Sequence, residues 1–169
     1  MADAELRALA ERLQGLCLGR RLTVAVAESC TGGLVASAIT DVPGSSGYFV
    51  GGIVAYADSA KTRLLAVPAA AIERHGAVSA QAARAMALGA RERLVVDLAA
   101  SVTGIAGPDG GSAGKPVGLT YVGVADAAGA DVRRFMWTGD RGSIRHESAR
   151  AVLELLIERA DSGAAGGGS

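Results

Sequence analysis

Two serine-containing turns and one lysine are the residues of this chain that could perform nucleophilic chemistry. Ser46 lies in the turn VPGSSGYF, and Ser29 lies in the turn AESCTGG. Lys61 is one of only two lysines, while all other basic side chains except the histidines are arginine. Because a buried lysine can lose its proton and arginine does not, Lys61 is a candidate general base. A neutral lysine can accept the proton of a serine hydroxyl and thereby make that serine a nucleophile.

The spacing of these residues leaves their pairing open. Lys61 follows Ser46 by fifteen residues, so a strand and a turn between them would have to fold the lysine back toward the serine. Tyr56, five residues before Lys61, would relay the proton or orient the amine. The spacing of Ser46, Tyr56 and Lys61 is neither SxxK nor YxxxK, and neither Ser29 nor Ser46 lies in a GxSxG motif, which argues against a Ser-His-Asp triad at these serines. The alternative is a solvated Lys61 on a helix surface, which is the usual place for lysine.

The elements that must position these residues are short strands alternating with helices. Apolar, β-branched runs predict strands at 22–27, 48–56, 98–103, 119–125 and 132–138. Helices are predicted at 3–19, at 34–42, in a short stretch capped by Asp58, between Pro68 and Gly76, at 80–94 capped by Ser79, and at 141–160. This order predicts an α/β protein, a single three-layer α/β/α domain with a mixed sheet over residues 1–160. Residues 161–169 predict a flexible Gly/Ala/Ser tail.

Three polar, glycine-containing loops are expected at the carboxyl ends of strands: AESCTGG, VPGSSGYF and TGIAGPDGGSAGKPVG. Ligands of open α/β sheets gather at that edge, so the loops together predict a pocket. A strand, a small polar turn and a helix surround Ser29, an arrangement that directs backbone N–H groups toward an anion. Arg141 and Arg145 are four residues apart on the last predicted helix and share a face. They would reach a ligand phosphate or remain surface charges.

Composition excludes several classes of protein. The formal net charge is zero, so general attraction to nucleic acid or anionic lipid is not expected. The apolar runs are too short to span a membrane and the N-terminus lacks a secretory pattern, which predicts a cytoplasmic protein. The cysteines Cys17 and Cys30 and the two histidines have no zinc-ligand spacing, so neither a metal nor a cofactor is expected.

Four stretches of the chain resemble, in order and spacing, the CinA C-terminal domain family, the nicotinamide-nucleotide amidohydrolases. They are AESCTGGLVASAITDVPGSSGYFVGGIVAYADSAK, HGAVS, TGIAGPDGGSAGKPVG and GDR with the arginine that follows it. The resemblance covers about residues 5–158 and begins close to Met1, as in the stand-alone form of the family. It implies hydrolysis of nicotinamide mononucleotide (NMN) to nicotinic acid mononucleotide and ammonia in NAD recycling. A Ser-Lys acyl-enzyme mechanism without metal or cofactor is implied with it.

The resemblance also implies roles for individual residues. Ser46 would be the nucleophile, Lys61 its general base and Tyr56 the support of that lysine. The residues expected to bind substrate are Ser29, Thr31, Gly32, Gly33, Ser45, Thr103, Gly104, Ala106, Gly107, Arg141 and Arg145. Ser29, which follows a strand at a helix start, is the alternative nucleophile. The chain has Ala57-Asp58 where family members often have Ser-Asn, which implies altered substrate placement beside Tyr56.

The partners implied by the resemblance are the small molecule NMN and a second copy of the chain in a homodimer, with no nucleic acid and no membrane. Two other functions stay open from the sequence. One is an amidase that acts on another small amide. The other is a non-catalytic nucleotide-binding module linked to competence or DNA damage, which would use the same loops without needing Lys61.

Overall fold

The computed structural model describes residues 3–163, which form a five-stranded sheet between two layers of helices. The strands are β1 (Val24–Glu28), β2 (Phe49–Val54), β3 (Leu98–Gly104), β4 (Leu119–Asp126) and β5 (Gly129–Met136). The helices are α1 (Ala4–Arg20), α2 (Leu34–Thr40), α3 (Asp58–Leu65), α4 (Ala69–His75), α5 (Ala80–Leu94) and α6 (Arg141–Ser162), and a 3₁₀ turn, Ser45–Gly47, precedes β2. The predicted three-layer α/β fold with a mixed sheet is confirmed.

The order of the strands creates a crevice at the carboxyl ends of the parallel strands. The order is β2-β1-β3-β4-β5, with β1 parallel to both of its neighbours and β4 and β5 antiparallel. From β1 the chain passes through α2 to β2, and it then crosses back through α3, α4 and α5 to β3 on the other side of β1. Such a reversal opens a space at the carboxyl ends of the strands on either side of it.

The two helical layers pack against the sheet in different ways. On one face α1, α2 and α6 bury large aliphatic side chains such as Leu13, Ile39 and Leu153. On the other face, α5 approaches its neighbours closely because most of its buried residues are alanine or glycine. A Cβ added to Gly89 of α5 would lie 1.8 Å from the carbonyl oxygen of Leu65, at the end of α3. The small residues of α5 therefore allow the end of α3 to pack directly against it.

The observed ends of the helices agree only in part with those predicted from the sequence. Ser79 caps α5 with its side chain, as predicted. The predicted cap Asp58 is wrong, because Ala57 is the N-cap of α3 and Asp58 is its first residue. α6 runs through Ser162, so the first residues of the predicted tail are helical, and its residues 164–169 lie outside the described range. Between residues 3 and 163, no helix is both long and apolar enough to cross a bilayer.

Candidate active site

A cleft of about 250 Å³ opens where β1, β2 and β3 end. Ser29 follows β1, and its N–H donates to the carbonyl oxygen of Val102 in β3 at 3.0 Å. On the other side of β1, the N–H of Ala55 donates to the carbonyl oxygen of Glu28 at 2.9 Å. The three strand ends therefore lie side by side. The cleft is lined by Ser29, Cys30, Tyr56, Asp58, Lys61, Ala77, Val78, residues 103–107, Asp109, Gly110 and Arg141.

Lys61 forms a buried part of this cleft, with only 2 % of its surface exposed. Its Nζ donates to the carbonyl oxygen of Tyr56 at 2.9 Å, and Oδ1 of Asp58 lies 4.0 Å away. Burial lowers the pKa of Lys61, and the nearby Asp58 acts in the opposite direction. The solvated alternative for Lys61 is therefore wrong, and the amine is biased toward the neutral form that a general base requires.

Ser29, and not Ser46, shares the cleft with Lys61. Ser29 is 6 % exposed and lies directly beyond β1. Ser46 is exposed and lies in the turn before β2, outside the residues that line the cleft. The six residues of β2 place the two ends of that strand about 17 Å apart, at about 3.3 Å per residue. The expected folding of Lys61 back toward Ser46 is therefore not observed within one chain, because β2 carries the chain away from Ser46.

The turn that holds Ser29 is built around a buried acid, Glu28, which is 1 % exposed. Its carboxylate accepts hydrogen bonds from three backbone N–H groups around the start of α2 at 2.9–3.2 Å. It also accepts one from the hydroxyl of Thr31 at 2.6 Å. These N–H groups are the ones expected to face a substrate anion. Since Glu28 occupies that place, Thr31, Gly32 and Gly33 shape the turn and do not line the cleft.

The two arginines at the start of α6 have different roles. Arg141 lines the cleft, where it donates to the carbonyl oxygen of Gly107 at 2.7 Å and lies 3.4 Å from the hydroxyl of Tyr56. Arg145, one helical turn later, donates to the carbonyl oxygens of Cys30 and Thr31 at 3.1 and 2.9 Å. Arg141 is therefore placed to meet a ligand, whereas Arg145 fastens the turn that carries the serine.

The remaining predicted substrate-binding residues divide in the same way. Those that line the cleft are Ser29, Thr103, Gly104, Ala106, Gly107 and Arg141, and those outside it are Thr31, Gly32, Gly33, Ser45 and Arg145. The hydroxyl of Thr103 donates to the carbonyl oxygen of Ala77 at 2.8 Å, so it joins the end of β3 to the turn before α5. Ser45 is buried in the turn before β2.

Sequence reasoning did not count Cys30 and Asp58 among the site residues, although both line the cleft. Their positions gave a signal, because Cys30 adjoins Ser29 and Asp58 lies three residues before Lys61. Burial raises the pKa of the Cys30 thiol to about 11, so the thiol stays protonated at neutral pH and is a poor nucleophile there. Within the described residues, the group that could hold a metal ion is Asp3, Glu5 and His146, and none of its members lines the cleft.

Residues 6–160 match the family model of the CinA C-terminal domain. This chain is a member of that family. Among solved structures, the competence/damage inducible protein CihA from Agrobacterium tumefaciens matches with a TM-score of 0.91 and 39 % identity, over 94 % of this chain and 97 % of that one. A CinA superfamily protein from Escherichia coli matches with a TM-score of 0.88 and 31 % identity, over 94 % and 93 %.

Curated CinA relatives are more similar in sequence and much longer. A CinA-like protein from Geobacter sulfurreducens is 56 % identical over 138 residues, which are 82 % of this chain and 33 % of that protein. A putative competence-damage inducible protein from Caldicellulosiruptor bescii is 47 % identical over 151 residues, 89 % of this chain and 37 % of that protein. The chain thus spans about a third of the length of these relatives.

Proposed function

We propose that this CinA-family domain is an amidohydrolase that converts NMN to nicotinic acid mononucleotide and ammonia through a Ser-Lys acyl-enzyme mechanism. The observation that carries the proposal is that Lys61 and Ser29 line the same cleft. Lys61 is 2 % exposed and its pKa is lowered mainly by burial, which is the state that a lysine base requires. The resemblance named Ser46 as the nucleophile, whereas the geometry of one chain favours Ser29.

The proposed reaction uses the residues of the cleft in two half-reactions. Neutral Lys61 accepts the hydroxyl proton of Ser29 as its Oγ attacks the carboxamide carbon. Backbone N–H groups of the glycine-rich wall stabilise the oxyanion. The Lys61 ammonium then gives its proton to the leaving nitrogen, and ammonia departs. Water attacks the ester with Lys61 again as the base, which releases the carboxylate product and restores Ser29.

The mouth of the cleft supports a substrate that carries a phosphate. Arg141 offers a guanidinium there, the group that pairs best with phosphate oxygens. The cleft of about 250 Å³ is slightly smaller than the ~300–1,000 Å³ of most small-molecule sites. We therefore place the amide-bearing ring in the cleft and the phosphate at its mouth beside Arg141. Tyr56, which is 63 % exposed, would contact the part of the nucleotide between them.

The proposal is tested by ammonia release from NMN after treatment with a chelator. We expect turnover by the wild type and a loss of about 10³-fold in Lys61→Met, the range of a lost general base. Calorimetry should show that this variant still binds NMN. Arg63→Met is the matched control, because it removes an exposed cation from the same helix, and it should turn over like the wild type. Equal turnover in Lys61→Met would contradict the mechanism.

Binding of NMN without ammonia release by the wild type would favour the second candidate, a nucleotide-binding module. The observation behind this candidate is the name of the Caldicellulosiruptor bescii relative, which refers to competence and damage but to no reaction. Ammonia release from other carboxamides and none from NMN would favour a different small amide as substrate. A homodimer and a cytoplasmic location belong to the same proposal, and sedimentation velocity and cell fractionation measure them.

A further inference from the structure

Asp58 is the acidic residue next to Lys61. It begins α3 one turn before the lysine, and its Oδ1 lies 4.0 Å from the lysine Nζ. The Asp58 side chain is 64 % exposed, whereas that of Lys61 is 2 % exposed. Asp58 also lines the cleft that Lys61 and Ser29 share. The carboxylate is therefore close enough to act on the buried amine while it remains hydrated on its other side.

The other polar groups of the cleft come from several elements around Lys61. Tyr56 presents its carbonyl oxygen to the amine at 2.9 Å, and Cys30 of the turn after β1 is a protonated thiol near neutral pH. Arg141 from α6 and Asp109 from the loop after β3 line the same cleft. Within residues 3–163, Asp58 is the carboxylate that forms an ion pair with Lys61.

We propose that Asp58 is a positioning residue that stabilises the ammonium form of Lys61 and thereby sets the pH above which the cleft contains a free base. Burial and Asp58 act on Lys61 in opposite directions, the first toward the neutral amine and the second toward the ammonium. An opposite charge within about 4–6 Å shifts a pKa by about 1–3 units, and hydration of the exposed carboxylate places its effect at the lower end. The catalytic consequence depends on the proposed function, but the effect on the titration of Lys61 does not.

The titration of Lys61 can be measured directly because the chain contains only two lysines, Lys61 and Lys115. Protein labelled with ¹³C at the lysine Cε should give two NMR signals, which Lys115→Arg assigns. We expect the midpoint of Lys61 to fall by about one pH unit in Asp58→Asn, a change that keeps the shape and removes the charge. It should stay near the wild-type value in Asp58→Glu. Asp109→Asn, the matched loss of another carboxylate of the cleft, should also leave it unchanged.

The dependence of kcat/KM for NMN on pH provides the second readout. Activity should rise with pH as Lys61 loses its proton, and in Asp58→Asn this acid limb should move to lower pH by the shift seen in the NMR titration. Ammonia release below the limb should then increase up to about tenfold, which is one pH unit. Thermal unfolding of both variants checks that they are folded.

The two readouts separate failure of this proposal from failure of the proposed function. An unchanged Lys61 midpoint in folded Asp58→Asn overturns the role of Asp58, whatever the protein catalyses. A shifted midpoint without any turnover of NMN supports the role of Asp58 and contradicts the amidohydrolase. A shifted midpoint with an unmoved acid limb overturns the catalytic consequence, because Lys61 is then not the base that limits the rate.

Discussion

The two serine turns of this protein are similar in sequence and opposite in position. Both AESCTGG and VPGSSGYF consist of small polar residues and glycines beside a strand. The first follows β1, whereas the second precedes β2. Because β1 and β2 are parallel, their like ends share one edge of the sheet, and the two turns lie at opposite edges. The comparison teaches that the direction of the strand, and not the composition of the turn, decides which serine reaches the cleft.

The supports of the two turns differ as well. Glu28 lies inside the first turn with four hydrogen-bond donors around its carboxylate, and Arg145 holds two of the turn's carbonyl oxygens from outside. The second turn has no side-chain cap on its 3₁₀ segment and depends on Gly44, whose φ is 92°. Glu28 and Arg145 thus fix the first turn, which carries Ser29. The second turn is a tight connection between α2 and β2.

The largest difference between the turns should appear when each serine is removed. Ser29→Ala should lower kcat for ammonia release by about 10³-fold or more, because it deletes the attacking oxygen. Ser46→Ala should stay within about twofold of the wild type, since its exposed side chain lies outside the cleft. Steady-state kinetics on NMN measure both effects, and calorimetry should show that Ser29→Ala still binds NMN.

The reverse result would break the comparison in an informative way. If Ser46→Ala lost turnover and Ser29→Ala kept it, Ser46 would have to act in the cleft of another copy of the chain. Mixing Ser46→Ala with Lys61→Met would then restore part of the activity, because one of the two sites of each heterodimer would combine an intact serine with an intact lysine, while the other site would have neither. With Ser29 as the nucleophile, Ser46→Ala is itself active, and mixing it with Lys61→Met should give only the sum of the two separate activities.

The second prediction concerns the stability of the first turn. Glu28→Gln should lower the free energy of unfolding by about 3 kcal/mol, because hydrogen bonds to a buried charged group are worth about 1.5–3 kcal/mol each. The new amide NH₂ would also face N–H donors that need an acceptor. Urea denaturation measures the change. Glu11→Gln, at an exposed ion pair with Arg7, is the control and should change stability by less than about 1 kcal/mol. Equal effects of the two substitutions would show that the carboxylate of Glu28 is not what stabilises the turn.

The sequence predicts the helices and strands well because each has a local signal. The β-branched run of β1 and the cap Ser79 of α5 are signals of this kind. The sequence also contains a signal that Lys61 is unusual, since this residue is one of two lysines in a chain whose other strongly basic residues are arginine. The choice between Ser29 and Ser46 could not be predicted from the sequence, because a turn of small polar residues and glycine has the same local pattern at either end of a strand. That choice depends on the parallel pairing of β1 with β2, in which Val24 lies opposite Phe49, and such pairing is a tertiary property.

Glu28 shows a second limit of the sequence. A strand followed by a small polar turn and a helix predicts N–H groups that await an anion, and the structure contains them. The anion is the carboxylate of the preceding residue of the chain itself, turned inward and buried. The local pattern does not distinguish a ligand from such an internal carboxylate, because both satisfy the same donors. The anion that the pattern predicts is therefore internal at this helix, whereas Arg141, a phosphate candidate from the sequence, lines the cleft from the start of α6.

The smallest predicted effect belongs to the second turn. Gly44→Ala should lower the free energy of unfolding by about 1–2 kcal/mol, because a side chain is strained at a φ of 92°. Its Cβ would also lie 3.0 Å from Nε2 of Gln14, which is anchored to the carbonyl oxygen of Pro43. Urea denaturation measures the loss. Gly15→Ala, in the helical part of α1 with open space around it, should instead stabilise the protein by about 0.5–1 kcal/mol.

Turnover per folded molecule should be unchanged in Gly44→Ala, because the second turn only connects α2 to β2. Kinetics at a temperature well below the unfolding transition separate this expectation from the loss of stability. A fall in kcat comparable to that of Ser29→Ala would contradict the distinction between the two turns. It would mean that the position of Ser45 and Ser46 reaches the chemistry despite the length of β2, and the assignment of the nucleophile to Ser29 would have to be given up.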